Sequence, residues 1–218
     1  MNANERKAWM EKISVNDLES RMAAIGQAQA NANLVKKMFK SHPLKKGARL
    51  LIAGCGTGQL FDYASPNDLG KNIELTLTDI NQSYLSKAEE RLSGFSGIKY
   101  STARDDIENT RLNQSYDAVL AVLVLLHVEW KKALASMLRL NPRRLYIIEQ
   151  EQDASKPAVG GSVMLKGGWL WYAENVPVKL IPRNELINYL HDKGYDAKIY
   201  QKEVPDNKKM VGFVFEKN

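Results

Sequence analysis

Three glycines in five residues, Gly54-Cys55-Gly56-Thr57-Gly58, follow the apolar run Arg49-Leu-Leu-Ile-Ala53. Glycine lets a backbone turn tightly and lets a ligand approach it closely. A glycine turn that leaves a strand and enters a helix is the context in which such a turn holds a ligand. The spacing is GxGxG, neither GxGxxG nor the GxxxxGK of a P-loop, which disfavours a phosphate cradle. About twenty residues further on, a second apolar strand ends in Leu77-Thr78-Asp79-Ile80-Asn81. An ionised carboxylate only accepts hydrogen bonds, and one placed there can take both hydroxyls of a ribose. Aspartate also caps helices well, and a helix pattern starts at Gln82, so both uses stand open. Ile80 is placed to cover one face of a flat base. After a third strand comes Ala103-Arg104-Asp105-Asp106-Ile107. An acid here can accept from an exocyclic amine. The adjacent pair leaves the choice between Asp105 and Asp106 open, with a solvated loop as the alternative.

Three further places carry groups that could act on a second molecule. His127, in Leu125-Leu-His-Val-Glu-Trp130, follows the fourth strand and can exchange a proton near pH 7, or serve as pocket wall. The run Glu149-Gln-Glu-Gln-Asp153 follows the fifth strand and is either a site for a cationic or amine group or a solvated loop. The stretch from Gly160 to Tyr172 combines mobile glycines with Trp169, Trp171 and Tyr172, as a substrate lid or as a surface hairpin. The N-terminal helix, with Trp9, Met10, Gln27 and Gln29, closes the other side or simply caps the sheet. One cysteine excludes an internal disulfide and a multi-thiolate zinc site, and no metal is expected.

These residues need a scaffold, and the apolar pattern supplies one. Residues 1–40 read as helical, with Leu18, Met22, Ile25, Leu34, Val35 and Met38 on one stripe that Gln27 to Asn33 interrupts. Pro43 ends that helix. Strands are expected at Arg49 to Ala53, Ile73 to Thr78, Ile98 to Ser101, Tyr116 to Val124 and Leu145 to Ile148. Helices are expected at Gln59 to Ala64, Gln82 to Leu92, Lys131 to Leu140 and Arg183 to Lys193. Late strands at Tyr195 to Gln201 and Met210 to Glu216 complete seven. The alternation predicts an α/β, Rossmann-like, doubly wound sheet, mostly parallel, with helices on both faces and an N-terminal helical cap. Ligands in such sheets bind beyond the carboxyl ends of the strands.

The chain has 218 residues, 44% hydrophobic and 26% charged, the balance of a soluble globular protein and not of a disordered one. One domain is expected, divided into a cap (1–40), a core (45–150), an insertion (151–182) and a final helix with a strand pair (183–218). No apolar run reaches the length of a membrane span. The first residues carry no apolar signal region, which favours a cytoplasmic location. The net charge of +6 is spread without a run of five basic residues, so nucleic acid is an unlikely partner.

Taken in order, LLIAGCGTGQ, LTLTDIN, the acidic loop and YDAVLAVLVLLHV resemble the class I S-adenosylmethionine-dependent methyltransferases, over roughly residues 45–150. The resemblance implies S-adenosylmethionine as cofactor and S-adenosylhomocysteine as product. It assigns the methionine end to Ala53, Gly54, Cys55, Gly56 and Gly58, the ribose to Asp79, and the adenine to Ile80 with Asp105 or Asp106. Two departures stand out. The family has an acid two residues before the first glycine, where this chain has Ile52, and its Lys-Pro-Gly-Gly turn before strand five is replaced by Leu140-Asn-Pro-Arg-Arg144. No Asp/Asn-Pro-Pro-aromatic sequence follows strand four, as in enzymes that methylate nucleobase amines, and no double-glutamate loop of protein arginine methyltransferases is recognisable. A small-molecule acceptor is the class that remains, methylated on O or N. RNA or protein methylation, or cofactor binding without transfer, are the alternatives. Candidate catalytic residues are His127 and Glu149; Trp9, Trp169, Trp171 and Tyr172 are candidates for binding the acceptor.

Overall fold

The strand–helix alternation closes into one sheet. Its strands are β1 (Arg49–Ala53), β2 (Glu74–Asp79), β3 (Lys99–Arg104), β4 (Ala118–Val122), β5 (Arg144–Gln152), β6 (Tyr195–Val204) and β7 (Lys208–Lys217). They lie in the order β3-β2-β1-β4-β5-β7-β6. The first five run parallel, and β7 enters antiparallel between β5 and β6. The order reverses between β1 and β4, where an α/β sheet opens its ligand crevice. The computed structural model describes residues 1–24, 26–152, 178–204 and 208–218.

β4 throughout, and β1 from Leu50 onward, are apolar because both faces of the sheet are covered. On one face α3 (Gln27–Ser41) and α5 (Gln82–Ser93) send Leu34, Val35, Met38, Ala88 and Leu92 against Leu50, Ile52, Leu77, Leu120, Tyr146 and Ile148. On the other, α6 (Trp130–Leu138) and α7 (Arg183–His191) send Leu134, Met137, Leu186 and Leu190 against Leu51, Val119, Leu145, Ile147 and Phe213.

Residues 1–40 do not form a single stripe. They form α1 (Ala3–Lys7) running into a π-helical stretch (Ala8–Lys12), then α2 (Val15–Ala24), then α3. Gly26 adopts φ 61° and starts α3, so Gln27 to Asn33 opens a helix instead of interrupting one. Gln27, Ala28, Ala30, Asn31 and Ala32 are all buried there, where small side chains allow close packing. The first helix lies over the carboxyl ends of the strands. Asn81 Nδ2 donates to the Trp9 carbonyl at 2.8 Å, Tyr84 donates to the Ile13 carbonyl at 2.9 Å, and Arg6 pairs with Asp106 and Glu108.

Other boundaries moved for local reasons. The segment after the glycine turn is a 3₁₀ turn (Gln59–Asp62) followed by the short α4 (Pro66–Leu69). β4 stops at Val122, not Val124, because Leu123 takes φ 56° and donates its N–H to Ile148 at 2.8 Å. A 3₁₀ turn over Leu125–His127 follows. β5 runs on to Gln152, since β7 continues to pair with it (Glu149↔Val211, Gln150↔Met210, Glu151↔Lys209). The expected acidic loop is therefore strand as far as Gln152, and Asp153 lies outside the described residues.

Strand pleat then sorts this run by face. Leu145 and Ile147 point to the α6–α7 side, Tyr146 and Ile148 to the α3 side. Glu149 and Glu151 follow the first pair, and Arg183 at the start of α7 binds Glu151 at 2.7 and 2.8 Å. Gln150 follows the second pair and meets Gln27 of α3. Glu149 is 3% exposed and neither of its carboxyl oxygens has a hydrogen-bond partner. Burial alone pushes its pKa from 4.5 up to about 8, so the core holds the neutral acid at pH 7. A folded pKa raised above the unfolded one gives stability that is complete below about pH 4.5 and is lost as pH rises through about 8, a window worth roughly 5 kcal/mol. Melting curves are expected to show wild type losing stability from about pH 5 to about pH 8.5, with Glu149→Gln removing most of that slope. Equal slopes in the two proteins would assign the linkage to another group.

Candidate active site

Beyond the carboxyl ends of β1, β2 and β4 lies a cavity of about 410 Å³, within the range of small-molecule and cofactor sites. The glycine turn forms its floor, and its three glycines have different duties. Gly54 has φ 64°, and a Cβ there would lie 2.3 Å from Val124 Cγ2, so the floor at this point admits glycine alone. Gly56 has φ 56° and donates its N–H to Asp79 Oδ2 at 2.9 Å. Gly58 has φ 75°, and a Cβ there would come within 2.9 Å of Ala88 Cβ, so it sets how closely α5 packs. Gly54, Cys55 and Gly56 line the cavity. Ala53 and Gly58 do not; Ala53 is buried in the core on the α6–α7 face, and Gly58 faces α5. The Cys55 thiol lies 3.3 Å from the Gly56 carbonyl, and burial followed by the nearby Asp79 pushes its pKa well up, so it is no nucleophile.

Asp79 is 8% exposed and lines the cavity. Its Oδ1 accepts from the Asn81 N–H and its Oδ2 from the Gly56 N–H, both at 2.9 Å. Burial pushes its pKa up to about 6, and the N–H groups of Asn81, Gly56 and Ile80 pull against that rise. It is therefore ionised at pH 7, and each oxygen keeps a lone pair for a ligand. The capping role considered for it belongs to Asn81, whose side chain accepts from the Ser83 N–H at the start of α5. Ile80 also lines the cavity.

Asp105 and Asp106 both line it, with different commitments. Asp106 spends one oxygen on the Glu108 N–H, capping a 3₁₀ turn, and the other on Arg6. Asp105 accepts from the Arg111 N–H with Oδ1. Across the cavity, Trp9 and His127 meet edge to face with ring centroids 4.8 Å apart, and Leu126, Val178 and Leu180 extend the apolar wall. Glu149 is not part of this lining, because its position in β5 turns it to the opposite face; Gln150 reaches the cavity instead. Trp169, Trp171 and Tyr172 lie outside the described residues. Sequence reasoning missed Asn31, Gln150 and the left-handed Leu123, all on the cavity wall. The amides between Gln27 and Asn33 were the available signal for Asn31, and the polar run that starts at Glu149 was the signal for Gln150. The carboxylates of the lining are Asp79, Asp105 and Asp106, and among the described residues no lysine or arginine lines it.

A family model described as a methyltransferase domain matches residues 51–141, the span that holds the turn, Asp79, the acidic loop and His127. The matched span is 91 of the chain's 218 residues. No curated protein sequence matches it. Among solved structures it is similar to magnesium protoporphyrin IX methyltransferase from Synechocystis PCC 6803 with bound S-adenosylmethionine: 15% identity, 99% of this chain and 100% of that one, TM-score 0.68. It is also similar to phosphoethanolamine N-methyltransferase 2 of Haemonchus contortus, at 13% identity over 100% of this chain and 61% of that one, TM-score 0.68. The [4+2]-cyclase SpnF follows at 17% identity, 85% and 81% coverage, and TM-score 0.61. Among the described residues no helix is long and apolar enough to cross a membrane.

S-adenosylmethionine fits this lining, since a buried ionised carboxylate faces a cavity bounded by the backbone of the glycine turn. Gly54→Ala is expected to abolish measurable S-adenosylhomocysteine binding in calorimetry and to cost ~2 kcal/mol or more in a denaturant melt. Asp79→Ala is expected to lose most of the affinity while the fold persists. In wild type the same affinity should fall as pH drops through about 6, when Asp79 takes up its proton and loses acceptor capacity. A flat profile across that range would show that Asp79 does not hold the ligand.

Proposed function

We propose that this chain methylates an O or N atom of a small molecule in the cytoplasm, by in-line displacement at the methyl group of S-adenosylmethionine. The observation that carries the reading is a single cavity with two characters. Its acids follow β2 and β3, and its apolar wall of Trp9, Leu126, Val178 and Leu180 faces the turn after β4. The cofactor supplies the activated methyl group on a sulfonium. The chain's own residues then have to hold two molecules in line and keep water out.

Asp79 takes the ribose hydroxyls in this reading, and Asp105, with one carboxyl oxygen left over, accepts from the adenine amine while Ile80 covers the base. Cys55 and Gly56 present backbone to the middle of the cofactor. The lining carries acids and no lysine or arginine among the described residues, which suits a cationic sulfonium and opposes a polyanionic acceptor such as RNA. His127 stands on the acceptor side with its ring against Trp9. It walls the acceptor in and takes the proton that a hydroxyl loses as it attacks the methyl group, or that an attacking neutral amine sheds once it is methylated.

Calorimetric titration is expected to give micromolar binding of S-adenosylhomocysteine and none of NAD. His127→Ala should leave that affinity within about threefold. In a methyl-transfer screen of phenols and amines, the same variant should lower kcat and flatten its rise with pH; an unchanged pH profile would reduce His127 to a wall residue.

A further inference from the structure

One end of the cavity has polar groups that the proposed contacts leave unused. Asn31 of α3 is 3% exposed and lines the cavity, yet neither its Nδ2 nor its Oδ1 has a hydrogen-bond partner. Gln150 of β5 and Gln27 of α3 line the same end, joined only by a long contact of 3.4 Å, with Gln27 also 3.5 Å from the Met210 sulfur. A buried amide left unmatched is unfavourable, so Asn31 with no partner at all, beside the buried Gln27 and the half-buried Gln150, points to a ligand that completes them.

Their place in the sheet says which part of a ligand. Asp79 ends β2, and Gln150 lies on β5, three strands away across β1 and β4, or roughly 14 Å at ordinary strand spacing. A cofactor whose nucleoside is held beside β2 and β3 therefore directs its other end towards the amides. That end is an α-amino acid, an ammonium and a carboxylate with no net charge. Among the described residues, the side chains at that end of the cavity carry no charge to pair with it. Ile52, where the sequence resemblance leads one to expect an acid, is apolar and lines the cavity, and among the described residues no lysine or arginine does. A primary amide has one acceptor oxygen and a two-hydrogen donor, the complement of a zwitterion.

We propose that Asn31, supported by Gln150, holds the amino-acid end of the cofactor through neutral hydrogen bonds, in place of the acid absent at position 52. Asn31 accepts from the ammonium with Oδ1 and donates to the carboxylate with Nδ2. Gln150 presents a second amide to the same end. The inference rests on the cofactor reading above, and the test separates the two.

The test is calorimetric titration with S-adenosylhomocysteine and with 5′-methylthioadenosine, a nucleoside thioether that lacks the amino-acid end. Wild type is expected to bind the first more tightly. Asn31→Leu, close in size and apolar, should weaken S-adenosylhomocysteine by about tenfold or more and leave 5′-methylthioadenosine within about twofold. Gln150→Leu should act in the same direction by a smaller factor, and stands in should the first variant fail to fold. Unchanged preference for S-adenosylhomocysteine in the folded variants would overturn the inference, as would an equal loss for both ligands. Wild type that binds neither ligand would overturn the cofactor reading itself.

Discussion

The hydrogen bond from the Gly56 N–H to the Asp79 carboxylate ties two strand ends into one site. It joins the turn after β1 to the last residue of β2, 23 positions later. The second oxygen of Asp79 takes the Asn81 N–H and so fixes the entry to α5. One buried charge thus shapes the cavity floor, fixes the chain that enters α5 and faces the cavity. Burial opposes that charge and raises its pKa, and the backbone donors oppose the rise. The same group that organises the floor is held near the limit of ionisation, a common property of functional carboxylates.

Electrostatics divide the molecule in two. The chain as a whole is positive, at +6, yet the side-chain charges of its described cavity lining are Asp79, Asp105 and Asp106. Basic residues that come near the rim are engaged. Arg6 is bound by Asp106 and Glu108, and Lys179, between two lining residues, by Glu129 and Glu5. Net charge therefore describes the outer surface and says little about the site, where local sign favours a cationic group.

Much of this was legible in the sequence. Buried strands show as apolar runs, and the glycine turn and Asp79 depend on chemistry within a short stretch of chain, so β1, β2 and their carboxyl-end residues read off directly. What escaped depends on distant partners. Asp106 differs from Asp105 because Arg6, 100 residues earlier, reaches it. The end of β4 is set by the left-handed Leu123, which no propensity of leucine announces. The acids after Ile148 look like a loop until β7 is seen to pair with them. Asn31 looks like a weak point in a helix, and only the packing of α3 turns it into a cavity wall.

β5 shows how much chemistry rests on counting. Glu149 and Gln150 are neighbours, and the pleat sends the acid into the core and the amide into the cavity. A slip of one residue against β4 and β7 would exchange them, putting a carboxyl where the amides gather and an amide among aliphatic side chains. Pairing along all nine residues of β5 opposes that slip. The antiparallel partner β7, far from the glycine turn, thereby acts as a ruler for the binding site. An insertion or deletion in either strand would change which β5 side chain faces the cavity while leaving the glycine turn and Asp79 as they are.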